Sequence, residues 1–586
     1  MSSQTKLGAF LILAVMLIIQ VSTAVQESAT NDEAIHLSAG LSYWRTGDFR
    51  MNPEHPPLVK MLAAMPLVFS PVTLPLTDVT WANVDEWNFG DLVLYQNRLS
   101  PDTLLLLGRL PIMLLSLLLG WYIFRVSRSL WGTAGGFISL GLYAFDPSII
   151  AHSRYVTTDL GFTALAFFTL IRLERLIIAP TRRNVIWFGV VFLGACLTKF
   201  SIYALIAGLI GLWIALKIHR PDHPTVQAKN IWKAIGIGLP ISLVIIWAVY
   251  GFDYRRPIDD PRISQLYVQR QEALNTNLLN NRGPLENFVV NDLGDRNSRL
   301  GSLAVRLEYY HYPLYTFFRG AISVIGHSVA GHQSYLLGQV RDLGWWYYFP
   351  VAFIAKTSLP TLLALITVLI MFGAWLFHTR RKQPSCLATF RAIDQRWLIY
   401  VIPPLIYFVT ALFSHLNLGW RHIMPIYPPL LVLAGAAGMI KLRWLDWRKY
   451  LIPIIIVTGA FITEAATYPN QIGYFSPLVG GNGNGWRIMR DSNLDWGQDL
   501  PKLRTFMRQR GLTSIPFAFY GRADFSAYIP NPLPLPTTSE LQTQARPTGY
   551  AAISVGRLWS RDGSYRWLWD IKPEKKLGSS IYVYKL

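Results

Sequence analysis

Residues 103–124 read TLLLLGRLPIMLLSLLLGWYIF. The hydrocarbon core of a bilayer is about 30 Å thick, and a helix crosses it in about 20 apolar residues. This stretch is long enough and apolar enough to be such a span. Working outward from it, the chain holds about eleven runs of the same kind. They lie near residues 7–24, 103–124, 132–150, 160–178, 185–199, 201–217, 231–252, 349–377, 398–414, 422–440 and 450–467. The fifth and sixth are short and meet at Thr198-Lys199-Phe200-Ser201, which reads as the tip of a hairpin. Lys6 before the first run and Ser22-Thr23-Ala24 at its end resemble a secretory signal, but the length favours an uncleaved span.

Composition agrees. The 586 residues are 52% hydrophobic and 15% charged, against about a quarter charged in an ordinary soluble domain. Mean hydropathy is +0.29. A net charge of +20 would suggest nucleic acid in a soluble chain. Here Lys and Arg gather in short turns between apolar runs, as in cytoplasmic loops of membrane proteins, so nucleic acid is not an expected partner. The two cysteines, Cys196 and Cys386, fall at different depths and suggest no disulfide. No Cys/His cluster has zinc spacing.

The basic turns alternate with loops poor in Lys and Arg. Arg125 and Arg128, then Arg172, Arg175, Arg182 and Arg183, then Lys217, Arg220, Lys229 and Lys233 mark inner segments. Arg380, Arg381, Lys382, Arg391 and Arg396, and then Lys441, Arg443, Arg448 and Lys449, mark two more. The positive-inside rule therefore puts the N-terminus inside and, after an odd number of spans, the C-terminus outside. The expected fold is an α-helical polytopic membrane protein with about 11 transmembrane helices and a small C-terminal outer α/β domain. Residues 1–467 form the membrane module, with outer loops 25–102 and 253–348, and residues 468–586 form the extracytoplasmic domain. In that tail, Ile515–Tyr520, Tyr550–Val555 and Ser580–Tyr584 alternate as strands do. No internal repeat or low-complexity tract is seen.

Several charges break the topology rule by standing on the outer face or at span ends, where charge is costly. These are Asp32, Glu33, Glu54, His55, Lys60, Arg154, Asp159, Lys199, Lys356, Arg421 and His422. Any one Lys or Arg at a span end can be an ordinary snorkelling side chain. As a group they put cations at one membrane depth, where a phosphate at the head-group level would bind. Carboxylates beside them would supply acid/base chemistry.

The motifs around these charges resemble a known family. Asn31-Asp32-Glu33-Ala34-Ile35-His36 is similar to the acidic motif of the protein O-mannosyltransferase-like glycosyltransferases of the C-type superfamily. Glu54-His55-Pro56-Pro57-Leu58-Val59-Lys60 and Arg154-Tyr155-Val156-Thr157-Thr158-Asp159 resemble two further segments of that family. So do Asn417-Leu418-Gly419-Trp420-Arg421-His422 with Pro425-Ile426-Tyr427-Pro428, and Asp491-Ser492-Asn493-Leu494-Asp495-Trp496-Gly497-Gln498-Asp499. The five stand in order over nearly the whole chain. Two departures are plain: the tail has no sign of a β-trefoil, and His422 stands where the family often has Tyr.

The resemblance implies transfer of a sugar from a polyprenyl-phosphate carrier to an acceptor hydroxyl on the outer face of the bacterial inner membrane, with inversion. It implies Asp32 as base with Glu33 beside it, and Arg154, Lys199, Arg421, Lys60, His55 and Lys356 around the donor phosphate. Glu54, Asp159, His422, Asp491 and Asp495 are candidates for acceptor contacts or structure. Implied partners are the lipid-linked sugar, membrane lipids, and a protein, lipid or glycan acceptor. The pattern demands no cofactor and leaves a divalent cation open. Asp491, Asn493 and Asp495 resemble the start of an EF-hand loop, but Gly497 is one place late and position twelve is Lys502. Gly480–Gly485 lacks the Lys-Ser/Thr of a phosphate loop and reads as a turn. Trp345-Trp346-Tyr347-Tyr348 reads as an aromatic belt before it reads as a sugar platform. A transporter or flippase of lipid-linked saccharides is the alternative. It would put charges at mid-span and repeat its halves with broken helices.

Reporter fusions test the topology. Fusions after residues 183 and 395 are expected inside and a fusion after residue 480 outside. An inside tail would overturn the orientation.

Overall fold

The computed structural model describes residues 1–223, 227–262, 306–382, 385–440 and 451–586. The basic segment 441–449 and the middle of the loop 253–348 lie outside the described residues.

Each apolar run is helical over most of its length. Among the described residues five helices are long and apolar enough to cross a membrane: Ser3–Ala24, Pro101–Ala144, Ile202–His219, Leu359–Lys382 and Trp420–Met439. Shorter helices cover the other runs, among them Arg182–Cys196, Gln395–Ala411 and Leu451–Thr467. The helices turn large apolar side chains outward, such as Leu7, Phe10, Leu11 and Ile18 on the first and Leu363, Ile366, Leu369 and Ile370 on Leu359–Lys382. Keeping that surface in water costs about 25 cal/mol per Å2. Lipid tails remove the cost, so these faces belong in a bilayer.

The runs 103–124 and 132–150 join in one helical element, and two other runs depart from simple spans, each for a local reason. Pro101–Ala144 reverses at Gly132, whose φ of 75° only glycine adopts freely. The two halves then lie side by side, with Tyr143 Oη donating to the Ser116 carbonyl at 2.9 Å. The run 349–377 breaks into Tyr348–Lys356 and Leu359–Lys382. Pro360 has no N–H for the Lys356 carbonyl, which accepts from Ser148 Oγ at 2.7 Å instead. The run 422–440 begins as a 3-10 helix, Trp420–Ile426, containing Pro425, and becomes α-helical only over Tyr427–Ala434.

The first loop is more structured than its polar composition suggests. It folds into Glu33–Thr46, Leu58–Val68 and Glu86–Tyr95. The first two pack so closely that a Cβ on Gly40 would run into the Lys60 carbonyl. This loop touches the tail: Ser28 N–H donates to the Gln498 carbonyl at 3.0 Å, and Arg522 N–H to Asn31 Oδ1 at 3.0 Å. The turn after residue 331 also reaches the tail, with Leu337 N–H on the Ile488 carbonyl at 3.0 Å. At the far ends of the helices basic turns meet one another. Arg396 pairs with Glu174 and reaches Ser129 Oγ at 2.8 Å, while His219 Nε2 meets the Ile393 carbonyl at 2.8 Å.

The tail carries a five-stranded mixed sheet. Its order is Pro532–Pro534, Ile515–Ala518, Tyr550–Ser554, Ile581–Lys585 and Lys575–Leu577. The first three strands are parallel and the last two pairings antiparallel. The helix Leu500–Gln509 packs on it, with Phe506 edge-on to Tyr550 at 5.4 Å.

Two buried arginines hold the loop that follows the first helix. Arg109, inside the quoted stretch, has Nε 2.8 Å and Nη2 2.6 Å from the Glu33 carboxylate. Its remaining N–H groups reach the carbonyls of Ala24, Glu27 and Ser28. Arg154 makes the matching two-point pair with Glu27, at 2.8 and 2.6 Å. Removing one partner of a buried pair leaves an uncompensated charge and costs about 3–5 kcal/mol. Arg109→Met should therefore lower the thermal stability of the detergent-solubilised protein by an amount in that range. Arg109→Met with Glu33→Gln should recover part of the loss; equal melting of single and double variants would contradict the clamp.

Candidate active site

Four side chains from four separate segments form an alternating chain of charge. Asp32 stands at the N-cap of Glu33–Thr46. Its Oδ2 is 2.8 Å from Arg421 Nη1, and the same nitrogen is 3.3 Å from Asp159 Oδ2. Asp159 Oδ1 is 2.5 Å from Lys199 Nζ. Asp159 comes from the first turn of Thr158–Ile178, and Lys199 from the tip between Arg182–Cys196 and Ile202–His219. Arg421 lies in the 3-10 stretch, its guanidinium 4.4 Å from the centre of the Trp496 ring. The broken helix at 420–426 is what lets residue 421 face this junction.

Exposure separates this chain from the other charges. The Asp32 side chain is 23% exposed, Lys199 12% and Arg421 11%, while the Arg109 and Arg154 side chains are at 0%. Asp159, at 1%, is the buried carboxylate that holds both cations. Arg421 Nε is enclosed and has no hydrogen-bond partner among the described residues. His55 and His422 close around the same charges: Lys199 and Asp159 act on both rings. Burial, then the His36, Lys199 and Lys60 charges, hold His55 well below the usual imidazole range. Its Nδ1 and the Nε2 of His422 are buried without hydrogen-bond partners among the described residues. His36 packs edge-on to His55 at 5.3 Å.

Several expectations need correction. Glu33 does not share the opening with Asp32; it is fully buried and its partner is Arg109. Arg154 does not stand free for a phosphate, because Glu27 occupies it. Lys356 is buried and donates to the carbonyls of Ile472, Tyr474 and Asn493 at 2.9, 2.6 and 2.8 Å. Lys60 is likewise buried, donating to Tyr43 Oη and to the carbonyls of Asn52 and His55. A cation surrounded by protein oxygens at that range is a structural tie. Glu54 accepts from Ser323 Oγ at 3.0 Å.

The segment 491–499 acts as a clasp beneath the chain. Asn493 Oδ1 accepts the Trp420 N–H at 2.9 Å, and its carbonyl holds Lys356. Asp499 Oδ2 accepts from Ser579 N–H, Ser580 N–H and Ser580 Oγ in the last turn before the final strand. Asp491 receives the Tyr520 hydroxyl at 3.0 Å, and Asp495 the Gly556 N–H at 2.8 Å. Burial pushes both carboxyls above their ordinary range. They do not converge as calcium ligands, and among the described residues no group of three or more His, Cys, Asp or Glu is arranged to hold a metal ion. Trp345 is buried with its N–H on Asn417 Oδ1 at 2.7 Å, whereas Trp346 is exposed. The sequence reading missed Arg109 and Glu27. The available signal was an ionisable side chain inside an apolar run.

No curated protein sequence matches the chain. Among solved structures, it is similar to ArnT from Cupriavidus metallidurans bound to undecaprenyl phosphate, at 12% identity and a TM-score of 0.45, over 98% of this chain and 97% of that one. It is also similar to the oligosaccharyltransferase AglB from Archaeoglobus fulgidus in complex with an inhibitory peptide and a dolichol-phosphate, at 11% identity and a TM-score of 0.41, over 99% of this chain and 74% of that one. A family model matches residues 104–247, from the quoted span to the helix before the second outer loop, and describes dolichyl-phosphate-mannose-protein mannosyltransferases. That quarter of the chain, which contains Arg109, Arg154, Asp159 and Lys199, carries the sequence pattern of the dolichyl-phosphate-mannose-protein mannosyltransferase family.

Proposed function

We propose that this protein is a membrane glycosyltransferase that moves a sugar from a polyprenyl-phosphate donor to an acceptor hydroxyl at the extracytoplasmic face. The observation that carries the reading is the partly open chain Asp32–Arg421–Asp159–Lys199 among buried, fully paired charges. The match of residues 104–247 to mannosyltransferases that use a dolichyl-phosphate sugar supports the same donor class.

The chemistry follows from the charges. The bond from the anomeric carbon to the phosphate oxygen breaks, and its electron pair leaves with the lipid phosphate. Arg421 and Lys199 stabilise that growing charge. Asp159, between them, fixes their positions. The acceptor hydroxyl attacks the anomeric carbon from the opposite face, which inverts it, and Asp32 takes the hydroxyl proton. Arg421 Nη1 lies on Asp32. A donor phosphate competes for that guanidinium, through the unpartnered Nε among others, and its capture frees the Asp32 carboxylate. Glu33, Arg154, Lys60 and Lys356 build the site without touching donor.

The eleven-span count, the inside N-terminus and the tail as a separate outer domain complete the proposal. They agree with the grouping of the first loop, the turn after residue 331 and the tail at one end of the helices.

Rates with a polyprenyl-phosphate sugar at several donor concentrations test the roles. Asp32→Asn keeps the size and removes the base, so turnover should fall by about a hundredfold or more. Arg421→Lys keeps the charge and loses the planar fork, so the rate at low donor should fall by about ten- to a hundredfold. Arg154→Lys should instead reduce the amount of folded protein, and Arg182→Lys on an exposed turn should change nothing. Activity of Asp32→Asn within about twofold of wild type would exclude it as the base.

A further inference from the structure

On the tail side of Arg421 lies a separate cavity of about 170 Å3. Its walls include Tyr335 from the outer turn, Arg490 and Asp491 from the clasp, and Tyr520, Arg557 and Trp559 from the sheet. Tyr520 follows the strand Ile515–Ala518 and Arg557 follows Tyr550–Ser554, and those two strands are parallel neighbours. The cavity therefore sits outside the carboxyl ends of parallel strands, where open sheets of this kind bind ligands.

Its groups are held in place. Asp491 has φ 57°, in the left-handed region that costs most side chains but that Asp and Asn tolerate. Tyr520 Oη fixes its Oδ2 at 3.0 Å. The Arg490 guanidinium lies 3.4 Å from the centre of the Tyr335 ring and donates to the Trp559 carbonyl. Trp559 is stacked on Trp486, with ring centres 4.3 Å apart.

The mix of groups selects the ligand. A phosphate would meet the Asp491 carboxylate, and an amine would meet Arg490 and Arg557. A neutral ring bearing hydroxyls satisfies both signs: it donates to Asp491, accepts from the arginines, and lays its C–H face on an aromatic ring. We infer that this cavity binds a neutral sugar ring, and that the acceptor of the proposed transfer is a glycan whose neighbouring hydroxyl reaches Asp32. The position fits, because Asn417 and Leu418 in the cavity wall belong to the segment that leads to Arg421, the partner of Asp32. The word acceptor rests on the proposed transferase reading; the binding of sugar does not.

Binding without donor tests the inference. Ligand-observed NMR on purified protein would use methyl α-mannoside, methyl β-glucoside and methyl N-acetyl-β-glucosaminide, with inorganic phosphate and a Ser-containing peptide as other chemistries. At least one glycoside should bind saturably. Asp491→Asn, which keeps shape and backbone tolerance, and Ser560→Phe, which fills the cavity, should each weaken it by about tenfold or more. Melting curves confirm that both variants fold. Absence of saturable glycoside binding, unchanged binding in both variants, or saturable binding of phosphate or peptide alone would overturn it. Glycoside binding that persists when donor transfer cannot be detected would instead count against the transferase reading alone.

Discussion

A charge enclosed beside lipid must be paired, because the cost of desolvating it is several kcal/mol. That constraint organises this molecule. Arg109 and Arg154 each take a carboxylate from the short loop after the first helix, Glu33 and Glu27, and so pin that loop between two spans. Asp32 is the neighbour of Glu33 in sequence, so its position is fixed by a pair to which it does not belong. Lys356 does the same with three backbone carbonyls at the other side, tying the broken helix at residue 357 to the clasp 491–499. The clasp in turn presents Trp420 and Arg421.

What remains after these ties is a small, balanced set. Asp32 and Asp159 match Arg421 and Lys199 in charge, so the cluster is neutral as a unit and partly open.

Much of this was legible in the sequence. Lipid leaves helices as the economical way to satisfy a backbone, so every long apolar run became helical. The alternating pattern at 515–520, 550–555 and 580–584 marked three strands of the sheet to within a few residues. Asp32, Asp159, Lys199 and Arg421 stood out as charges at span ends. What could not be read was which charges are already answered. Arg154 and Lys60 look like Lys199 in the chain; only the fold shows Glu27 around the first and carbonyls around the second. Arg109 stood within the run that decides the fold, and a lone Arg among leucines signals a buried partner without saying which. The 3-10 start at Trp420 depends on a proline position that apolar counting passes over.

The central claim is that Lys199 and Arg421, alone among the cations proposed from sequence, hold the lipid phosphate. Native mass spectrometry of the purified protein with undecaprenyl phosphate measures this directly, independent of sugar and acceptor. Lys199→Met should reduce retained lipid by about tenfold or more, while Lys502→Met, which removes a cation tied to Asp499 and Asn470 in the tail, should leave it unchanged. Retention by Lys199→Met equal to that of the wild type would contradict the account.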